Sequence, residues 1–172
     1  MKAKIWIGCS IGVVLLVGIA FLANGLYKTW YKEGFVDNDL ETYLTGKMVQ
    51  YDGGEEALRF FPSSAEVSDK AYFHYQDNRK KNNFLHEYYS FFLLDVPYSS
   101  EEYSLAKEKI ASPNTEAYEF NEYMIIQKEY TDTACKAVLA NDSTNTLRYI
   151  LFYGEMDSDT TIGSLIAWNV SV

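Results

Sequence analysis

The chain has 172 residues, 48% hydrophobic and 16% aromatic, with 15 basic against 24 acidic side chains. That apolar content excludes a disordered chain. A net charge of −9 with no basic cluster to offset it repels phosphate backbones and argues against nucleic acid as a partner.

Lys2 and Lys4 are the only charged side chains before residue 28, and Ile5 to Tyr27 forms an uncharged run of 23 residues. At 1.5 Å per residue it spans roughly 34 Å, enough to cross a hydrocarbon layer of about 30 Å. A cleaved signal peptide carries an apolar stretch of only about 7–15 residues. Trp6 at one end and Tyr27, Lys28, Trp30, Tyr31 and Lys32 at the other are the amphipathic groups a headgroup region selects. The expectation is a retained transmembrane signal-anchor helix contacting the bilayer through residues 5–27; cleavage near Ala23 or Gly25 is the alternative. Lysines tie across the span, but the amino terminus adds a positive charge to the short basic tail. This predicts a cytoplasmic N-terminus and an extracytoplasmic domain. Gly8 and Gly12 have the spacing that lets two helices approach closely, although glycine is common in membrane helices and the oligomeric state stays open.

The expected organisation is an anchor over 1–27, an interfacial connector over 28–37 and one α+β domain over 38–172. Asn38 followed by Asp39, Leu40 and Glu41 reads as an N-cap, opening a short helix from about 39 to 50 that stops before Gly53-Gly54. A second helical turn runs from Glu55 to Phe60 and ends at Pro62. Ala71 to Gln76 alternates like a strand, Asp77 to Asn83 reads as a loop, and His86 to Val96 is apolar on both faces, as a central strand covered on both sides would be. Ser99 with Glu102 forms a capping box for the clearest helix, whose Tyr103, Ala106 and Ile110 line one face. Strands follow at about 118–128, 134–140 and 146–155, the last two joined as a hairpin through Asn141 to Asn145. Residues 157–161 read as a loop, and the tail from Ile162 to Val172 is apolar enough to dock. The fold class is α+β: an antiparallel sheet of about five strands with one main helix and short N-terminal helices.

Among chemistry-bearing residues, His74 and His86 lack the partners a zinc site needs, so no metal is expected. Cys9 lies in the span and Cys135 on a strand face with Ala137 and Leu139, where a small buried thiol packs; the domain has no second cysteine for a disulfide. The acidic groups Asp37-Asn38-Asp39 with Glu41 and Asp157-Ser158-Asp159 lack the glycine and glutamate of a calcium loop, and capping and turn chemistry account for them. Arg79, Lys80 and Lys81 read as a solvated loop. Asp95 closes an apolar strand, where burial would raise its pKa, and is the one weak catalytic candidate. Tyr72, Tyr75, Tyr149 and Tyr153 lie on strands and are weak binding candidates, as exposed tyrosines offer large contact area at low entropic cost. No phosphate loop, nucleophile elbow, metalloprotease or dinucleotide motif is present, and no cofactor is expected.

The basic-apolar start, the Phe60-Phe61-Pro62 run before the first strand, and Val96-Pro97-Tyr98 leading into a Glu-rich helix resemble small membrane-anchored proteins of Gram-positive bacteria. That resemblance is one of layout and implies no activity. The leading expectation is a membrane-tethered binding or interaction module of the cell envelope, with a protein or glycan partner, and not an enzyme. The alternatives are a tethered hydrolase using Asp95 with another carboxylate, and an accessory subunit of a membrane complex that makes contact through its span.

Overall fold

The computed structural model describes residues 35–77, 89–111, 119–120 and 122–154. The expected anchor, the tail from Ile162, the loop at 157–161, His86, and the Arg79–Lys81 and Asp157–Asp159 groups lie outside them. Among the described residues no helix is long and apolar enough to cross a membrane.

Among the described residues seven strands form one antiparallel sheet: β1 (Val36–Asp37), β2 (Tyr72–Asp77), β3 (Tyr89–Pro97), β4 (Glu119–Phe120), β5 (Tyr123–Tyr130), β6 (Ala134–Asn141) and β7 (Thr146–Gly154). Their order is β1-β2-β3-β7-β6-β5-β4, so two meanders meet where β7 returns alongside β3. The helices are α1 (Leu40–Leu44), α2 (Gly54–Phe60) and α3 (Ser100–Ile110), with 3-10 turns at Lys47–Gln50 and Ser64–Glu66. The α+β class and the antiparallel sheet are as expected. The five anticipated strands correspond to the long ones, and the two additional strands are two residues each.

Strand β2 shows how the sequence writes the sheet. Phe73, Tyr75 and Asp77 are buried, while Tyr72, His74 and Gln76 turn to the other face, the period of two that a pleated strand imposes. Strands β3, β6 and β7 are instead buried on both faces. On the first face Phe92, Leu94, Tyr149 and Leu151 form a core with Tyr43 of α1, Ala57 of α2 and Tyr103 of α3. On the second, Phe91, Leu93, Ile150 and Phe152 cluster with Leu139 and Cys135. Phe91 and Phe152 are directly opposed and stack with ring centroids 4.9 Å apart. Each fully buried side chain of this size contributes roughly 1.5–3 kcal/mol.

Four local expectations are corrected. The helix expected over 39–50 breaks after Leu44, because Gly46 takes a left-handed φ of 72° and restarts the chain as a 3-10 turn. Its N-cap is Asp39, whose Oδ1 accepts from Glu41 N at 3.0 Å, rather than Asn38. The single strand expected over 118–128 is a hairpin: Phe120 pairs with Tyr123, and Glu122 turns the chain at φ 70°. Strand β3 is interior to the sheet, between β2 and β7, and buried on both faces, as expected. Strand β1 also falls where a connector was expected, so among the described residues the first strand is at Val36–Asp37. The register of β5 shifts at a bulge between Ile125 and Gln127, and its Ile126 packs in the first core and Ile125 in the second.

Gly54 sits where the chain doubles back on the Lys47–Gln50 turn, and a Cβ there would lie 1.8 Å from the Met48 carbonyl oxygen. At Gly46 a Cβ would meet nothing within 4 Å, and only the left-handed backbone disfavours it. Chemical denaturation in detergent is therefore expected to separate the two substitutions. Gly46→Ala should cost about 1 kcal/mol of stability. Gly54→Ala should cost about 3 kcal/mol or more, because backbone must move. Equal costs would contradict the packing described here.

Candidate functional site

Asp95 lies on the second face, one residue before Val96, and faces Arg148 of β7 in direct register. Arg148 Nε donates to Asp95 Oδ1 and a terminal nitrogen donates to Oδ2, both at 2.7 Å, with each side chain 17% exposed. The guanidinium carbon stands 4.3 Å from the centre of the Tyr123 ring. Burial alone would lower the pKa of Arg148, but the fork of hydrogen bonds to Asp95 holds it above its ordinary value. Both oxygens of Asp95 are thus engaged by a permanent cation in a bidentate geometry, as in a structural ion pair.

The four tyrosines do not share one surface. Tyr75 and Tyr149 are buried in the first core and Tyr153 packs against it, whereas Tyr72 stands 49% exposed on the opposite face. Tyr75 stacks on Tyr51 at 4.3 Å. His74 Nδ1 lies 2.6 Å from Asn38 Oδ1, and partial burial lowers its pKa. Cys135 is fully buried, which pushes its thiol up to about 12, so it offers little thiolate at neutral pH. Asp37 and Asp39 serve the entry to α1. Burial alone would raise the Asp37 carboxyl, but hydrogen bonds from Tyr51, the Asp39 N–H and Thr42 hold it below the carboxylate range. Among the described residues no group of histidine, cysteine or carboxylate side chains is placed to hold a metal ion.

The structure instead places a groove of about 550 Å³ on the helical side of the sheet. One wall is α3, through Leu105, Ala106, Lys109 and Ile110. The other is the end of α2 and the turn after it, through Phe60, Pro62 and Glu66. Tyr149 and the Pro97-Tyr98 strand exit form the floor. Tyr98 and Tyr149 are joined by a hydrogen bond, and burial raises both phenol pKa values, so both remain protonated at physiological pH. Tyr43 Oη donates to the Pro62 carbonyl and ties the second wall to the core. At the mouth, Glu102 is held ionised by the Ser99 hydroxyl and backbone N–H that it accepts from in the capping box.

Of the sequence candidates only Tyr149 belongs to this groove. Glu66, Tyr98, Leu105 and Lys109 were not singled out. A leucine off the Tyr103–Ala106–Ile110 stripe was the available signal, and Leu105 is 63% exposed.

The first wall is fastened to the β6–β7 turn. Tyr103 Oη and Lys107 Nζ both donate to Asp142 Oδ1 in the β6–β7 turn, at 2.5 and 2.6 Å. The bonds from Lys107 and Tyr103 hold the Asp142 carboxyl below its ordinary 3.8. A carboxyl depressed in the folded state stabilises above its unfolded pKa and loses that contribution as pH falls through the folded one. Melting temperature should therefore drop as pH falls from about 5 through the folded value below 3.8, and Asp142→Asn should melt lower at pH 7 while losing that part of the drop. Parallel curves for parent and variant would contradict the assignment. Because the Asp142 side chain is 62% exposed, the effect should be small.

No protein-family profile, curated protein or solved structure matches this chain.

Proposed function

We propose that this chain is a membrane-tethered binding module of the cell envelope, presenting the groove between α2 and α3 to a protein or glycan partner. The groove is the observation that carries the reading. Its volume of about 550 Å³ falls in the range of ligand sites, roughly 300–1,000 Å³. Its chemistry is that of recognition: an apolar and aromatic lining with a few fixed polar groups. The tethering half of the reading rests on the uncharged run from Ile5 to Tyr27 and its aromatic and lysine flanks.

The hydrolase alternative draws no support from Asp95, since general acid or base work requires a carboxyl free to reach a substrate proton. A role as accessory subunit through the span would leave the groove without a use.

Leu105 makes a discriminating probe, because it lines the groove yet is 63% exposed and so tolerates a charge. Full-length protein in detergent should capture a defined partner from envelope fractions. Leu105→Glu should weaken that capture at least about tenfold, equivalent to 1.4 kcal/mol, with an unchanged thermal melt. Capture that is insensitive to Leu105→Glu would remove the groove from the proposal, and no capture at all would remove the proposal.

A further inference from the structure

Three of the exposed large apolar side chains among the described residues lie on β1, just before it, or in the Lys47–Gln50 turn, whose next residue Tyr51 bonds to Asp37 of β1. Phe35 is 52% exposed, Val36 46% and Val49 43%. Phe35 meets Tyr51 with ring centroids 5.5 Å apart, and Val49, two residues before Tyr51, lines a surface hollow with Tyr51, Gly53 and Tyr153. Val36 pairs with Gln76, on the opposite face from Tyr75, so the edge is apolar on both sides.

This patch is rigidly mounted. Its rings continue inward from Phe35 to Tyr51, from Tyr51 to Tyr75 at 4.3 Å, and from Tyr75 to Phe92 at 4.7 Å, ending in the core. The Asp77 N–H donates to the Phe35 carbonyl at 2.8 Å, and the Tyr51 hydroxyl donates to Asp37 Oδ2 at 2.7 Å.

The chain that leads into the patch indicates what covers it. Tyr27 ends the uncharged run, and only residues 28–34 separate it from Phe35. Fully extended, that connection reaches at most about 28 Å. It carries Lys28, Trp30, Tyr31 and Lys32, residues that settle among lipid headgroups. We propose that the β1 edge seats in the headgroup layer of the bilayer through Phe35, Val36 and Val49, so that the domain stands edge-down on the membrane. This inference rests on the tethered reading above. The acidic balance of the domain, with Asp37 and Asp39 beside the patch, fits a zwitterionic lipid surface and opposes an anionic one. With strands about 4.8 Å apart, an upright sheet would hold β7 and the groove floor about 14 Å above β1. The groove would then open beside the lipid rather than into it.

The test uses full-length protein in phosphatidylcholine nanodiscs, with Cys9→Ser in every variant so that only introduced thiols react. The native Cys135 is buried, with its thiol pushed up to about 12, and stays silent. A bimane fluorophore on Val49→Cys, read against headgroup nitroxide lipid, is compared with the same label on Leu105→Cys of α3. Quenching at residue 49 should exceed that at residue 105 by about threefold or more, as expected for a group within the interface. Phe35→Asp should reduce the difference while the protein stays in the disc. Equal quenching at both positions, with the protein retained after an alkaline wash, would overturn the seating alone. Loss of the protein from the discs in that wash would overturn the tether and the seating together.

Discussion

Asp95 and Arg148 hold the register on which the rest of the structure depends. Strands β3 and β7 are apolar on both faces, with Phe91, Leu93, Ile150 and Phe152 on one side and Phe92, Leu94, Tyr149 and Leu151 on the other. In most sheets a one-residue slip is forbidden because it throws apolar side chains into water. Here a slip would exchange one greasy set for another, and polarity would barely resist it. Each strand carries a single charge, Asp95 in β3 and Arg148 in β7, and the native pairing sets them directly opposite each other. Any shift would leave a largely buried guanidinium and carboxylate apart, which costs several kcal/mol. The pair therefore serves specificity more than net stability, as a polar contact in an apolar seam does when it selects one alignment.

The groove inherits its shape from that alignment. With Asp95 opposite Arg148, Leu94 faces Tyr149, and the chain leaves β3 at Pro97 beside the β6–β7 turn. The Tyr98 N–H donates to the Asn145 carbonyl at 3.0 Å, and the Asn145 side-chain amide donates to Ser100 Oγ at 3.2 Å. The turn itself is closed by Asn141 Oδ1, which accepts from the backbone N–H groups of Ser143 and Thr144. Helix α3 thus starts at a fixed place, and its docking on Asp142 sets the width of the groove over Tyr149. The same sheet fixes the β1 edge, since β1 hangs on β2 and β2 on β3.

What could be read from the sequence was the part written in local chemistry. The Ser99–Glu102 capping box, the alternation of β2 and the hairpin around Asn141 to Asn145 each need only a few neighbouring residues, and each is present. The breaks at Gly46 and Glu122 were missed because left-handed backbone there depends on how the next element packs. Period two already puts Tyr72 and Tyr75 on opposite faces of β2, so the four tyrosine candidates cannot share one surface. Asp95 stood out as a charge in an apolar strand, but its partner lies 53 residues away and depends on β7 returning beside β3. The groove was hidden for the same reason: its two walls, Phe60 to Glu66 and α3, are brought together only by the sheet beneath them.

The register role of the ion pair can be separated from its contribution to stability. In the double variant Asp95→Leu/Arg148→Met both charges are replaced by apolar groups, and the seam keeps its hydrophobicity. Amide hydrogen exchange across residues 91–94 and 149–152 of the full-length protein is the direct measurement. If the pair selects the alignment, the variant should stay folded yet lose the protection of these amides, as alternative registers become populated. Protection in the variant equal to that in the parent chain would show that packing alone fixes the strands and would contradict this account.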